Sequence, residues 1–202
     1  MGTEEAPRKR APRQSVEERR AMVIQAAIPL LVEIGPAVTT LQIARAAGIS
    51  EPTIFRAFAD KNDVLAACLA EVTDPKHVVA ELTAIEPTEP LPERLVSAIE
   101  VLRAQGERTG AVINAVSLAG PARSRDSLSN EERTRLRESR TSSYQRLHAA
   151  VAGVFESDPL RVPVDEAATL ILTIVMSLGR GGQHTGITTD GLADLILHGI
   201  TA

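Results

Sequence analysis

Residues that can contact phosphate groups and base edges are concentrated between Thr39 and Lys61. Hydroxyl groups and backbone amides at helix starts suit phosphate oxygens, so Thr39, Thr40, Ser50 and Lys61 are candidates for contacts that position a protein on DNA. The residues after Ser50 are candidates for a helix that enters the major groove. The complete set of candidate DNA-contacting residues is Thr39, Thr40, Ser50, Glu51, Pro52, Thr53, Phe55, Arg56 and Lys61.

Within this set, Thr53 and Arg56 are the best placed to reach base edges. An arginine can read guanine with two hydrogen bonds, but the sequence equally allows a phosphate contact for Arg56. Glu51 is unusual beside a polyanion. Its carboxylate can stabilise the helix dipole or accept from a cytosine amine, and we favour a capping role. Phe58 is expected in the core.

Two short helices must hold these side chains, and their ends are marked by local chemistry. Thr39 and Gln42 have the spacing of a capping box, which fixes the start of the first helix. Gly48 ends it at a position that requires a positive φ angle. Ser50 can then cap the second helix. The pattern predicts two helices that meet at a tight turn, the arrangement of a helix-turn-helix.

The spacing of apolar residues is helical along the whole chain, which predicts an all-α protein. We expect an N-terminal three-helix helix-turn-helix DNA-binding domain and a larger C-terminal helical ligand-binding and dimerisation domain. Gly35 and Pro36 should end the first helix, and Asp60 should cap the fourth. Further helices are predicted over residues 74–85, 93–105, 108–119, 129–155 and 164–178, and from residue 189 onward.

Composition bounds the class of protein. The 202 residues are 44% hydrophobic with a net charge of −4, which is typical of a folded, water-soluble chain. Through Leu65 the chain contains 9 basic and 8 acidic residues, whereas the remainder contains 13 basic and 18 acidic. A single cysteine and the lack of a secretory signal or a span-length apolar segment lead us to expect a cytoplasmic protein. Near the start of the chain is a basic arm that contains Arg8, Lys9, Arg10 and Arg13. Such an arm can follow phosphates or a minor groove, or it can merely aid solubility.

The segments Thr39-Thr40-Leu41-Gln42-Ile43-Ala44, Ala47-Gly48-Ile49-Ser50 and Thr53-Ile54-Phe55-Arg56-Ala57-Phe58-Ala59-Asp60-Lys61 resemble the tetracycline-repressor-like (TetR) family. The resemblance covers about the first third of the chain. It implies an operator-binding N-terminal segment, an inducer pocket in the body and a dimer formed by the last two helices. Phe55 and Ala57 stand where members often carry tyrosine and then histidine or tyrosine, so the corresponding phosphate contacts would be absent here.

The expected organisation has three parts: a flexible basic arm over residues 1–14, the DNA-binding domain over 15–63, and the ligand-binding and dimerisation domain over 64–202. The partners expected are a double-stranded, palindromic operator, a second copy of the chain and a small-molecule effector, with no membrane. The apolar faces expected to pair across a two-fold axis contain Leu170, Ile171, Ile174, Val175, Leu178, Leu192, Leu195 and Ile196.

The expected function is a repressor that a small ligand releases from its operator. With no Trp, one Tyr and 3 Phe, a pocket would be lined mainly by aliphatic side chains, which favours an apolar ligand. Asn114, Ser117 and Tyr144 are the polar groups that could orient it. No cofactor is expected.

Two other classes of function remain open on the sequence. The first is an enzyme that uses the helical body. The chain carries no nucleophile elbow, phosphate-binding loop or paired metal ligands, so we expect neither an enzyme nor a metal site. The second is a helical DNA-binding or interaction protein that needs no ligand.

Overall fold

The computed structural model describes residues 15–119, 129–155, 158–180 and 186–200, and these ranges contain no β-strand. The first helix is followed by a 3₁₀ turn over Gly35–Ala37. The helices are α1 (Val16–Glu33), α2 (Thr40–Ala46), α3 (Glu51–Ile54), α4 (Lys61–Thr73), α5 (Lys76–Thr83), α6 (Leu91–Leu118), α7 (Asn130–Gly153), α8 (Val164–Arg180) and α9 (Thr189–Ile200). No helix of these ranges has both the length and the apolarity that a bilayer crossing requires. The all-α prediction is confirmed.

One predicted break between helices is wrong. The sequence predicted separate helices over 93–105 and 108–119, whereas α6 runs without interruption through Gly106. Glycine weakens a helix interior, but packing at both ends of α6 holds this one together. Leu95 and Leu102 are buried toward its start, and Val112 is buried toward its end.

Two apolar cores form, and α6 contributes to both. The N-terminal core contains Val23, Ala27, Leu31, Val38, Ile43, Ala44, Ile54, Ala57, Phe58, Val64, Leu65, Cys68, Val72, Val112 and Ala115. The body core contains Val78, Leu82, Leu91, Leu95, Ala98, Ile99, Leu102, Val151, Val154, Phe155, Ala167, Ala168, Ile171, Leu172, Val175, Leu192, Ala193 and Ile196. The boundary expected at residues 63 and 64 therefore divides the N-terminal core, because four residues of α4 pack inside it.

Polar contacts fix the end of α4 against α6. The side-chain amide of Gln105 donates to the carbonyl oxygen of Val72 at 2.6 Å, and the Thr109 hydroxyl donates to the same oxygen at 3.3 Å. The last carbonyls of a helix have no partner within it, so these bonds satisfy a group that would otherwise need water. They join α4, which follows the helix-turn-helix, to the helix that the two cores share.

Cys68 should be unreactive while the protein is folded. Burial, and secondarily the negative charge of Glu71, raise the pKa of its thiol from 9.0 to about 12. Only the thiolate attacks thiol reagents, so we expect labelling at pH 8 to occur no faster than unfolding exposes the side chain. Labelling as fast as that of a small free thiol would contradict this.

The raised pKa of Cys68 also makes the stability of the fold depend on pH. The thiol stays protonated in the folded chain while it ionises in the unfolded chain near pH 9, so its contribution to stability is complete below pH 9. That contribution is lost as the pH rises toward about 12. Between pH 9 and about 12, urea unfolding should show the wild type losing stability relative to Cys68→Ala.

Candidate nucleic-acid interface

The helix-turn-helix forms where the local signals predicted it. Thr39 caps α2 through a complete capping box: the amide of Gln42 donates to the Thr39 hydroxyl at 3.2 Å, and the Thr39 amide donates to the Gln42 side chain at 2.8 Å. Gly48 has φ +67°, as the tight turn requires. Asp60 caps α4 by accepting from the amide of Asp63 at 2.8 Å. Both ends of the motif are thus set by short-range hydrogen bonds.

The short helix α3 presents one face to the core and the other to solvent. Ile54 and Phe58 are buried in the N-terminal core, as expected for Phe58. Pro52, Phe55 and Arg56 lie on the exposed face, and Phe55 remains 48% exposed. These exposed side chains are backed by Ile54 and Phe58 in the core. We call Pro52, Phe55 and Arg56 the recognition tip.

Hydroxyl groups of the motif are engaged within it. The Thr40 hydroxyl donates to Oε1 of Glu51 at 2.5 Å, which joins the starts of α2 and α3. The Ser50 and Thr53 hydroxyls pair at 2.8 Å, and Ser50 makes no side-chain cap bond to α3. Ser50 is the N-cap residue of α3, as predicted, but its hydroxyl bonds to the Thr53 side chain instead of a backbone amide. Glu51 holds two helices together, beyond the capping role expected for it.

Lys61 also has a partner inside the protein. Its ammonium group donates to the carbonyl oxygen of Pro36 at 3.1 Å and is partly buried. This bond ties the start of α4 to the 3₁₀ turn after α1. An ammonium group has three donors, so two others stay available to a phosphate. The sequence did not single out Leu41 and Arg45, which the structure leaves exposed on α2 beside the motif.

Gly48→Ala is expected to lower the free energy of unfolding by about 1–2 kcal/mol, because a residue with a Cβ is strained at positive φ. A Cβ there would meet nothing within 4 Å, so the cost is conformational rather than steric. The matched control is Gly153→Ala at the end of α7, where a Cβ also meets nothing and no positive φ occurs. Urea unfolding should separate the two variants, and equal stabilities would contradict the argument.

Comparisons with known proteins agree with this geometry. A sequence profile of the bacterial regulatory proteins of the tetR family matches residues 23–68, which span α1 to the middle of α4. The HTH-type transcriptional regulator HbdR from Aromatoleum sp. (strain CIB) is 48% identical over 60 residues, which are 29% of this chain and 26% of HbdR. Over residues 23–68 the chain is therefore similar to the tetR family of bacterial regulatory proteins.

Solved TetR structures share the fold beyond the matched segment. A TetR-family transcriptional regulator from Streptomyces coelicolor superposes with a TM-score of 0.51 at 23% identity, covering 92% of this chain and 80% of that one. A TetR-family regulatory protein from Rhodococcus RHA1 superposes with a TM-score of 0.50 at 22% identity. The superposition covers 94% of this chain and 99% of that one. At such identities the likeness shows the fold alone, and HbdR is matched over only about a quarter of its length.

The residues predicted to orient a ligand lie at the surface of the chain. Asn114 and Ser117 are exposed near the end of α6. Tyr144 is 50% exposed on α7, where its ring lies 5.9 Å from that of His148. The placement of Asn114 and Ser117 follows from α6, whose end packs on the N-terminal core through Val112 and turns its other side to solvent.

The predicted dimer face divides into two sets. Leu170, Ile174, Leu178 and Leu195 are partly or largely exposed, with Leu195 at 64%. The other four are buried within the chain's own body core. They are Ile171, Val175, Leu192 and Ile196. Both helices carry apolar stripes wide enough to face inward and outward at once. The predicted arm residues Arg8, Lys9, Arg10 and Arg13 lie outside the described residues.

Proposed function

We propose that this protein is a DNA-binding transcriptional regulator whose recognition tip enters the major groove. The observation that carries the proposal is the exposed tip of Pro52, Phe55 and Arg56, backed by the buried Ile54 and positioned by a positive-φ turn. A helix end that projects rigidly from a small domain suits the groove, where base edges are read. The family and all three relatives described above are regulators, which supports this reading over an enzyme.

The charges near the tip support a nucleic-acid partner despite the net charge of −4. Arg45 and Arg56 are exposed, and Lys61 retains free donors. The carboxylate of Glu51, which would repel phosphate, is held by the Thr40 hydroxyl at 2.5 Å. A local basic surface is what determines binding to a polyanion, since remote charges are screened beyond about 10 Å at 0.1 M salt. We keep the predicted contacts of Thr39, Thr40, Ser50 and Thr53 as part of this proposal.

We propose that the chain acts as a homodimer on a palindromic operator, in the cytoplasm. The exposed Leu170 and Leu195, together with the half-buried Ile174 and Leu178, supply the surface for a second copy. Two tips related by a two-fold axis would read half-sites about 34 Å apart, one turn of B-form DNA. The DNA-binding unit proposed is residues 15–63 completed by the buried residues of α4 and the end of α6, with residues 1–14 as its basic arm.

We further propose repression that a small apolar ligand relieves. The body core is almost entirely aliphatic, with Phe155 its one aromatic member, so a ligand that enters it would be apolar. Helix α6 belongs to both cores, and Gln105 binds the end of α4, so a displacement of α6 would reach the DNA-binding unit. A ligand that favours a different separation of the tips would weaken operator binding. The alternative is a regulator that responds to no ligand.

Selection of duplexes from a random-sequence pool, followed by gel-shift titration, tests the proposal. We expect the wild type to enrich specific duplexes, and Arg56→Ala to weaken their binding by about 1–3 kcal/mol. Arg140→Ala, an exposed arginine on α7, is the matched control and should bind as the wild type does. If Arg56→Ala changes the sequence preference, Arg56 contacts a base. If Arg56→Ala makes binding depend less steeply on salt concentration, Arg56 contacts a phosphate. Failure of the wild type to enrich any duplex would refute the proposal.

A further inference from the structure

Arg20, on α1, makes three contacts with the segment that follows the recognition tip. Its Nη1 donates to the carbonyl oxygen of Ala57. Its guanidinium carbon lies 4.1 Å from the centroid of the Phe58 ring. Its Nη2 lies 3.6 Å from Oδ1 of Asp63. A planar guanidinium can stack on a ring while its edge donates hydrogen bonds, which an ammonium group cannot reproduce.

Asp63 extends this network to the rest of the turn between α3 and α4. Its Oδ2 accepts from the amide of Ala59 at 3.1 Å, and its own amide donates to Asp60 at 2.8 Å. Arg20 and Asp63 together therefore bind the backbone at residues 57 and 59. The segment that leaves α3 is tied to α1, which is 18 residues long.

The recognition helix needs such support because it is short. Helix α3 has four residues and no side-chain hydrogen bond at its N-cap. Helices of this length are unstable on their own, so their direction is set by what they pack against. Ile54 anchors one side of α3 in the core, and the Arg20 contacts hold its C-terminal end.

We propose that Arg20 is a positioning residue for DNA recognition: it sets the angle of the recognition tip without contacting DNA itself. The inference rests on the proposed function above. A tip held at one angle favours the matching sequence over others, whereas nonspecific binding depends on charge and tolerates a change of angle. Loss of Arg20 should therefore lower the preference for specific DNA and leave the binding of other DNA unchanged.

The test compares wild type, Arg20→Gln and Arg20→Lys on a duplex enriched by the wild type and on a shuffled duplex, at several salt concentrations. Both variants should bind the enriched duplex about tenfold more weakly, which corresponds to losing a hydrogen bond to a charged group. Binding of the shuffled duplex and the salt slope should stay as in the wild type. The Lys variant keeps the charge but loses the fork and the stack, so it should not rescue specificity.

Three results would overturn the inference. An unchanged specificity ratio in both variants would show that Arg20 does not position the tip. A salt slope smaller by about one in Arg20→Gln and restored in Arg20→Lys would make Arg20 a phosphate contact. A wild type that enriches no duplex would remove the proposed function together with this one.

A second variant allows the inference to be tested even if Arg20→Gln does not fold. If urea unfolding shows that Arg20→Gln does not fold, Asp63→Asn removes only the ion pair, because its side-chain oxygen can still accept from the amide of Ala59. It should lower the specificity ratio by about twofold, as expected for a partly exposed ion pair. No change in that ratio would overturn the inference in the same way.

Discussion

Asp158→Ala should lower the free energy of unfolding by about 3 kcal/mol, the cost typical of leaving a buried charge without its partner. Arg94 is 3% exposed in α6 and forms an ion pair with Asp158. Its Nη1 also donates to the carbonyl oxygen of Val154 at 2.5 Å. In the described part of the chain its Nε has no hydrogen-bond partner, so the guanidinium already bears a desolvation cost that Asp158 offsets.

The double variant Arg94→Met with Asp158→Ala is the control for this prediction. Methionine fills a similar volume with apolar atoms, and replacing a whole buried pair is often neutral. Urea unfolding should therefore show the double variant to be more stable than Asp158→Ala alone. A double variant less stable than the single one, or a single variant as stable as the wild type, would contradict the importance given to this pair.

Leu195→Glu should convert the proposed dimer to a monomer and weaken operator binding by about a hundredfold or more, because two linked half-site contacts become one. Leu195 is 64% exposed on α9 and lies outside the body core. A carboxylate there would have to be desolvated on dimerisation, while the isolated chain tolerates it.

Sedimentation velocity and gel-shift titration measure the two parts of that prediction. The matched control is Leu136→Glu, an exposed leucine on α7 that is 47% exposed and should leave the dimer intact. A dimeric Leu195→Glu with wild-type affinity would place the interface elsewhere. A monomeric variant that still binds its operator tightly would remove the need for a dimer.

The helix-turn-helix could be predicted because its determinants are local. The capping box joins Thr39 to a residue three positions away, and Gly48 alone provides the positive φ of the turn. Such signals act over one turn of helix, so the sequence displays them directly. The course of α6 could not be read in this way, since packing at its two ends outweighs the local cost of Gly106.

The contacts that were missed connect residues far apart in the chain. Arg20 binds a carbonyl 37 residues away, and Arg94 binds one 60 residues away. The spacing of residues along the sequence does not indicate which distant group a long, flexible side chain contacts. For a related reason the expected dimer face mixes buried and exposed residues: a wide apolar stripe predicts burial, but it does not tell whether Ile171 or Leu170 faces the chain's own core.

Methylation protection on an enriched duplex tests whether the recognition tip enters the major groove. Dimethyl sulfate modifies guanine N7, an atom that is exposed in the major groove. We expect two blocks of protected guanines about 10 base pairs apart, one for each recognition tip of a dimer. These protections should be weakened by Arg56→Ala. Binding that leaves every guanine N7 as reactive as in free DNA would contradict this expectation.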